Sequence, residues 1–330
     1  MLLICLCQLF DLTRKEGLID MMTQKLQTFM KNPVKAVQHR LKVGAIDAQR
    51  LMQSRGKRIC DDPIFVLGNQ KSGTTIMAAL LGKATRRQTT LDLVYFNNNH
   101  AADYYDVYVK TMSFRKFLET NRLEFSNPII KEPNLAHYYT ELTKYFPLGK
   151  FIMIVRDPRD NIRSILNRFK LPGNLTQMTD EQRKRLIGPW PMVFDGSWCG
   201  LKGNNYIEML AERWVLFVET YMAHQQEMLL CRYEDFLGDK LGEIHQICQD
   251  LDITVNTDIR DQVDVQYQPK GQRDVDWLEF FGKENLDRIN TICQPAMDKM
   301  GYQVDQHGIN DEVHPRIAAK MNQTLEFNHR

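Results

Sequence analysis

The stretch Pro63-Ile64-Phe65-Val66-Leu67-Gly68-Asn69-Gln70-Lys71-Ser72-Gly73-Thr74-Thr75-Ile76-Met77-Ala78-Ala79-Leu80-Leu81-Gly82 decides the fold. An apolar run, Ile64 to Leu67, ends in a loop with two glycines and a lysine, and apolar residues then recur at helical spacing at Ile76, Met77, Leu80 and Leu81. This pattern predicts strand, phosphate loop and helix. Gly68 and Gly73 allow a tight bend, so that successive N–H groups and the positive end of the helix dipole converge on one anion. The loop is expected to hold a phosphate.

The position of the lysine narrows the choice of phosphate. A nucleotide triphosphatase loop places Lys and Ser or Thr directly after its last glycine, where the amine reaches the β and γ phosphates. Here Gly73 is followed by Thr74-Thr75, and Lys71 stands two residues before it. The ammonium would therefore face the bond being broken at the far end of a 5′-phosphate. Lys71-Ser72-Gly73-Thr74-Thr75 resembles the 5′-phosphosulfate loop of the sulfotransferases, which use 3′-phosphoadenosine 5′-phosphosulfate (PAPS). The alternative from another class is a P-loop nucleotide kinase or NTPase working on Mg-ATP.

With 330 residues, 43% hydrophobic and 25% charged, the chain has the length and composition of a globular protein with a sizeable core. Its net charge of +2 carries no global basic bias towards nucleic acid, so any anion site must be local. Seven scattered cysteines without a C-x-x-C pair argue against a metal or disulfide framework. The apolar segment Met1 to Phe10 is far shorter than a bilayer span. These features predict a cytoplasmic protein, with either Met1 or Met21 as the natural start.

Residues 1–60 read as a helical, basic extension. Within it, residues 21–58 carry nine Lys or Arg against the single acid Asp47, which suits a solvated helical face or an arm touching an anionic membrane surface. Residues 61–302 read as the main domain. After the phosphate loop, Thr89 to Phe96 predicts a strand with Asp92 in its middle, and a mixed aromatic stretch to about Leu118 predicts helix. Pro128 to Pro133 is the next strand, and Leu135 to Phe146 the next helix. Phe151-Ile152-Met153-Ile154-Val155 is uninterrupted and apolar, which suits a central parallel strand covered on both faces. It ends in Arg156-Asp157-Pro158-Arg159-Asp160. Asp157 is expected to cap a helix that starts at Pro158, with Asp160 completing a capping box. Arg156 then sits at the carboxyl end of a strand, where open α/β sheets bind ligands, and Ser164 lies about two turns into the helix. A guanidinium and a hydroxyl so placed suit a phosphate monoester.

Residues 170–204, with Pro172, Pro189 and Pro191, read as a long loop or lid. A helix is expected from Asn205 to Gln226, then a strand Met228 to Arg232 closed by Tyr233-Glu234-Asp235. Lys270-Gly271-Gln272-Arg273 forms a basic glycine loop before a last helix that Gly301 stops. Residues 303–330 read as a polar tail.

The Lys71 loop, the Arg156/Ser164 strand and helix, Arg232-Tyr233-Glu234-Asp235, and the Lys270-Gly271-Arg273 loop ahead of Trp277 occur in the order found in PAPS-dependent sulfotransferases. The resemblance covers about residues 63–302 and is nearest the bacterial and carbohydrate branch, which shares the K-x-P segment Lys131-Glu132-Pro133 upstream of R-D-P. It implies a single α/β domain with a central parallel sheet of about five strands, a P-loop-like 5′-phosphosulfate loop and helices on both faces. It also implies that Lys71, Ser72, Gly73, Thr74 and Thr75 hold the 5′-phosphosulfate, and that Arg156 and Ser164 hold the 3′-phosphate. Lys270, Gly271 and Arg273 would close over that phosphate, and Tyr233 would contact the adenine. Two departures from the aryl sulfotransferases, Ile76 in place of an adenine-stacking Trp and the absence of K-T-H, argue against phenol and steroid acceptors.

Sulfuryl transfer needs in-line placement and stabilisation of leaving-group charge, so cationic side chains suffice and no metal is expected. The acceptor, a small molecule, sugar or lipid, must lose a proton as it attacks. Asp92 is the expected base, following Lys71 by 92 − 71 = 21 residues, enough for the chain to return beside the first strand. Asp92 also resembles, one methylene shorter, the glutamate at this place in heparan-type sulfotransferases. His100, Glu132 and His137 are its rivals, and the plain alternative is a strand acid that faces solvent or pairs with an arginine.

Overall fold

The computed structural model describes residues 44–45, 48–50, 52–93, 101–265 and 276–303. The chain divides into two units, 1–56 and 57–330. Most of the first unit and the tail from 304 on lie outside the described residues, as do His100 and the loop bearing Lys270, Gly271 and Arg273. Among the described residues no helix is long and apolar enough to cross a membrane.

The second unit is built on one five-stranded sheet. In chain order its elements are β1 (Ile64–Gly68), α1 (Thr74–Thr85), β2 (Thr89–Thr90), β3 (Ile129–Lys131), β4 (Lys150–Val155), α2 (Pro158–Arg168), α3 (Tyr206–Ala223), β5 (Met228–Arg232), α4 (Lys240–Asp250) and α5 (Trp277–Met300). The strands run in the order β2-β3-β1-β4-β5, and every pairing is parallel. β1 is therefore central, with Ile64 opposite Ile129 on one side and Lys150 on the other.

Alternation along these buried strands gives each face its own core. Phe65 and Leu67 of β1 and Phe151, Met153 and Val155 of β4 point to one face, where they join Ile162 of α2, Trp214 of α3 and Met297 of α5. Ile64, Val66, Ile152 and Ile154 point to the other, against Met77, Leu80 and Leu81 of α1 and Ile244 and Ile247 of α4. Helices cover both faces, as the apolar runs require. Because all five strands are parallel, their carboxyl ends open on one edge, and the loops that follow β1, β3, β4 and β5 meet there.

Several expected elements take a different form. Among the described residues of the strand expected from Thr89 to Phe96, only Thr89–Thr90 pair, so Asp92 lies beyond that strand's end; Val94, Tyr95 and Phe96 lie outside the described residues. The helix expected from Leu135 opens as a 3-10 turn, Pro133–Tyr138, started by Pro133 and by the Glu132 carboxylate on the Asn134 N–H, before the helix Tyr139–Tyr145. Within 170–204 lie short helices at Asp180–Lys184 and Trp190–Phe194 and a 3-10 turn at Gly196–Cys199. They are too short to set up a period, but Thr179 and Gln182 form a capping box that marks the first of them. α3 stops at Ala223, and α5 ends where Gly301, with φ of 72°, returns its N–H to Asp298 and Met297.

Candidate active site

The loop after β1 is shaped by close approach. Gly68 has φ of 147°, and a Cβ there would lie 2.5 Å from the carbonyl oxygen of Ile154 on the neighbouring strand. Gly73, the N-cap of α1, has φ of 93°, and a Cβ there would lie 2.6 Å from Cε2 of Tyr233. Lys71 between them is left-handed, with φ of 69°. A buried polar network holds this bend. Asn161 of α2 donates to the Gln70 carbonyl and to Ser72 Oγ, both at 2.9 Å, and accepts from Asn69 Nδ2 at 2.9 Å. Gln70 donates to Asn134 Oδ1 at 2.9 Å, and the fully buried Arg213 of α3 donates to Gln70 Oε1 at 3.1 Å and to Asn134 Oδ1 at 2.9 Å. These buried hydrogen bonds tie the loop to α2, to α3 and to the turn after β3. None of Asn69, Asn134, Asn161 and Arg213 stands out in the sequence as a site residue. Their partners lie 64 to 143 residues away, and none of the four is marked by a local pattern.

Cations converge on the loop. Burial pushes the Lys71 amine down to about 8, and the charges of Arg168, Arg156 and Lys131 push the same way, in that order. Arg156 Nη1 donates to the Lys71 carbonyl at 3.3 Å, and its guanidinium lies over the Tyr233 ring at 4.7 Å. Its Nε is buried with no hydrogen-bond partner among the described residues. Asp160, 3.6 Å from Arg156, also takes Arg163 at 2.8 Å and the Trp277 indole N–H at 3.2 Å. Burial alone would raise Asp160, but Arg156 and Arg163 more than offset it and hold the carboxyl below the usual range. A group of cations with a desolvated amine and an orphaned guanidinium nitrogen fits a polyanion.

The turn after β4 forms as expected at its cap and differently at its box. Asp157 Oδ1 accepts the Arg159 N–H at 2.9 Å, with Pro158 in the first helical position. The expected box is absent, because the Asp160 carboxylate is drawn to Arg156, Arg163 and Trp277, and the Asp157 N–H goes instead to Glu234 Oε1 at 2.9 Å. Ser164 is half-buried, one turn beyond Asp160 on α2. Arg168 ends α2 with its guanidinium over the ring of Trp190 at 5.3 Å, so residues of the 170–204 segment pack against a cation whose charge acts on Lys71; sequence analysis did not single it out.

Beyond β2 and β3 the charged groups pair. Asp92 Oδ1 meets Lys131 Nζ at 2.7 Å, with the Asp92 side chain 41% exposed. The partner is a lysine rather than an arginine. Glu132 accepts the Leu93 N–H at 3.2 Å and the Asn134 N–H at 3.0 Å. Burial, reinforced by the charge of Asp92, raises its pKa. His137 lies against Trp198 and Phe217, with ring centroids 5.1 and 5.3 Å away, and burial followed by the charge of Arg213 holds it well below the ordinary histidine range.

Thus Lys71, Ser72, Gly73, Arg156 and Tyr233 share one edge of the sheet, with Thr74 and Thr75 opening α1 beside them. The solved structures similar to this chain include sulfotransferases from Mycobacterium avium (13% identity, 82% of this chain and 84% of that one, TM-score 0.49) and Alicyclobacillus acidocaldarius (14%, 72% and 97%, TM-score 0.40). They also include a mouse sulfotransferase in complex with PAP (16%, 75% and 89%, TM-score 0.44). Comparison with curated proteins gives no match. The family model for the sulfotransferase domain matches residues 61–268, more than half of the chain and the whole span from β1 past β5. The chain belongs to the sulfotransferase domain family.

Proposed function

We propose that this enzyme moves the sulfuryl group of PAPS to a hydroxyl or amine of a small-molecule, sugar or lipid acceptor. The observation that carries the reading is the left-handed Lys71 inside the glycine loop, its carbonyl held by Arg156 at 3.3 Å and its amine's pKa lowered by burial and by the charges of Arg168, Arg156 and Lys131. Residues 61–302 form the transferase domain, between a basic extension (1–60) and a polar tail (303–330). The free state of Cys60, Cys199, Cys231, Cys248 and Cys293 suits the reducing cytoplasm.

Lys71 and the N–H groups of Ser72, Gly73, Thr74 and Thr75 would hold the 5′-phosphosulfate, and Arg156 with Ser164 the 3′-phosphate. Tyr233, pressed on Gly73 and under Arg156, would contact the adenine. Lys270, Gly271 and Arg273, outside the described residues, would close over the 3′-phosphate. When bound, PAPS supplies an activated sulfuryl group and a nucleotide leaving group. Lys71 then stabilises the negative charge that grows on the leaving oxygen as its bond to sulfur breaks. Asp92, held by Lys131, takes the proton of the acceptor as the new bond to sulfur forms. Both charges are met by side chains, so the chemistry asks for no metal.

The test is incubation with labelled PAPS and fractions of sugars, lipids and small metabolites, read by mass for sulfated products. Sulfated product together with PAP supports the reading. PAP-free mixtures with every fraction overturn it.

A further inference from the structure

The peptide between Arg156 and Asp157 is gripped from both sides. Its carbonyl oxygen accepts the Trp214 indole N–H at 2.8 Å, and its N–H donates to Glu234 Oε1 at 2.9 Å. The second oxygen of Glu234 accepts the Tyr302 hydroxyl at 2.8 Å, just beyond the end of α5. Tyr302 is itself buried and carries the Arg232 guanidinium on its ring at 4.4 Å. Nearby, Arg159 donates to the Gln303 carbonyl at 2.8 Å and stacks on Trp277 at 3.8 Å. The strand-to-helix turn that bears Arg156 is thus tied to β5, α3 and the end of α5.

We propose that Glu234 is a positioning residue for Arg156: with Trp214 it fixes the plane of the Arg156–Asp157 peptide, and so the direction in which the Arg156 guanidinium leaves the sheet edge. Rotation of that peptide is the softest way for the turn to move, because the next residues are committed to the helix and to the Asp157–Arg159 pair. Without Glu234 the Asp157 N–H, on a residue only 7% exposed, must either stay unpaired or turn its peptide towards another acceptor. Either way Arg156 loses its aim, while the loop, which also holds to Asn161, Asn134 and Arg213, keeps its own. Glu234 therefore acts on the phosphate that Arg156 reads and on nothing else in the nucleotide.

This inference rests on the reading of Arg156 as the 3′-phosphate contact. It is tested by calorimetric titration of the full chain with 3′-phosphoadenosine 5′-phosphate (PAP) and with adenosine 5′-phosphate, which lacks the 3′-phosphate. Wild type should prefer PAP. If it does not, the reading of the site fails before Glu234 is at issue. Glu234→Ala should weaken PAP by roughly tenfold or more, the cost of one buried unpaired amide, and leave adenosine 5′-phosphate unchanged. Glu234→Gln, whose amide oxygen still accepts the Asp157 N–H, should restore most of the preference. Equal loss of both nucleotides, unchanged PAP binding in Glu234→Ala, or a Gln variant as weak as the Ala variant overturns the proposal. Should Glu234→Ala not fold, Trp214→Phe releases the other end of the same peptide and must show the same selective loss.

Discussion

The ring of Tyr233 fills the space that a side chain at position 73 would need, so the glycine loop after β1 and the turn after β5 are shaped to each other across β4. Gly73 also sits at φ of 93°, where L side chains are strained. Gly73→Ala should therefore cost about 1–2 kcal/mol for its backbone alone, with the collision against Tyr233 added. Urea unfolding measures the loss, and the Gly73→Ala/Tyr233→Ala double variant should recover the collision part only.

Lys71→Ala should lower turnover by roughly 10²–10³-fold with the fold intact, the usual cost of removing one preorganised donor from a transition state. Turnover equal to wild type would remove Lys71 from the mechanism.

The same lysine predicts a pH effect on stability. Its folded value of about 8 lies below the ordinary 10.5, so between these values the folded chain binds fewer protons than the unfolded one. Stability then rises with pH across that window. Lys71→Met, which removes the desolvated charge, should raise the melting temperature of the ligand-free protein at neutral pH. That advantage should shrink as pH climbs from about 8 to 10.5. A gain independent of pH would mean that the amine is not strained by burial.

Asp92→Asn keeps size and removes the proposed base. Transfer should collapse while PAP binding stays unchanged, and stability should fall by more than an exposed pair would cost, since the Lys131 side chain that loses its counter-charge is only 7% exposed. Near-normal transfer would move the role to His100, to Glu132, which burial inclines to hold a proton, or to His137.

Arg156→Ala should weaken PAPS by about 1.5–3 kcal/mol, the value of a charge-assisted contact, with little effect on adenosine 5′-phosphosulfate. Competition binding separates the two, and an equal loss would mean that Arg156 does not read the 3′-phosphate.

What could be read along the chain is what local pattern encodes. The apolar runs at Ile64 and Phe151 became β1 and β4, Met228 to Arg232 became β5 to the residue, and Gly301 ends α5. Over its described residues the strand at Thr89 is shorter than β-branched composition suggests, because its neighbour β3 offers only three residues to pair with. The capping box at Asp157 was misassigned because the right spacing was present but stronger partners for Asp160 came from Arg163 and Trp277. Contacts such as Asn134 with Arg213, or Asp157 with Glu234, join residues 77 or 79 positions apart and leave no periodic trace. They nevertheless hold the two turns that carry Lys71 and Arg156.

The most direct measurement of the central claim is calorimetric titration of the protein with PAP and, separately, with ATP and magnesium. Sulfuryl transfer from PAPS predicts tight PAP binding without a metal, weakened by Lys71→Ala and by Arg156→Ala, and much weaker binding of magnesium ATP. Tighter binding of magnesium ATP than of PAP would contradict it.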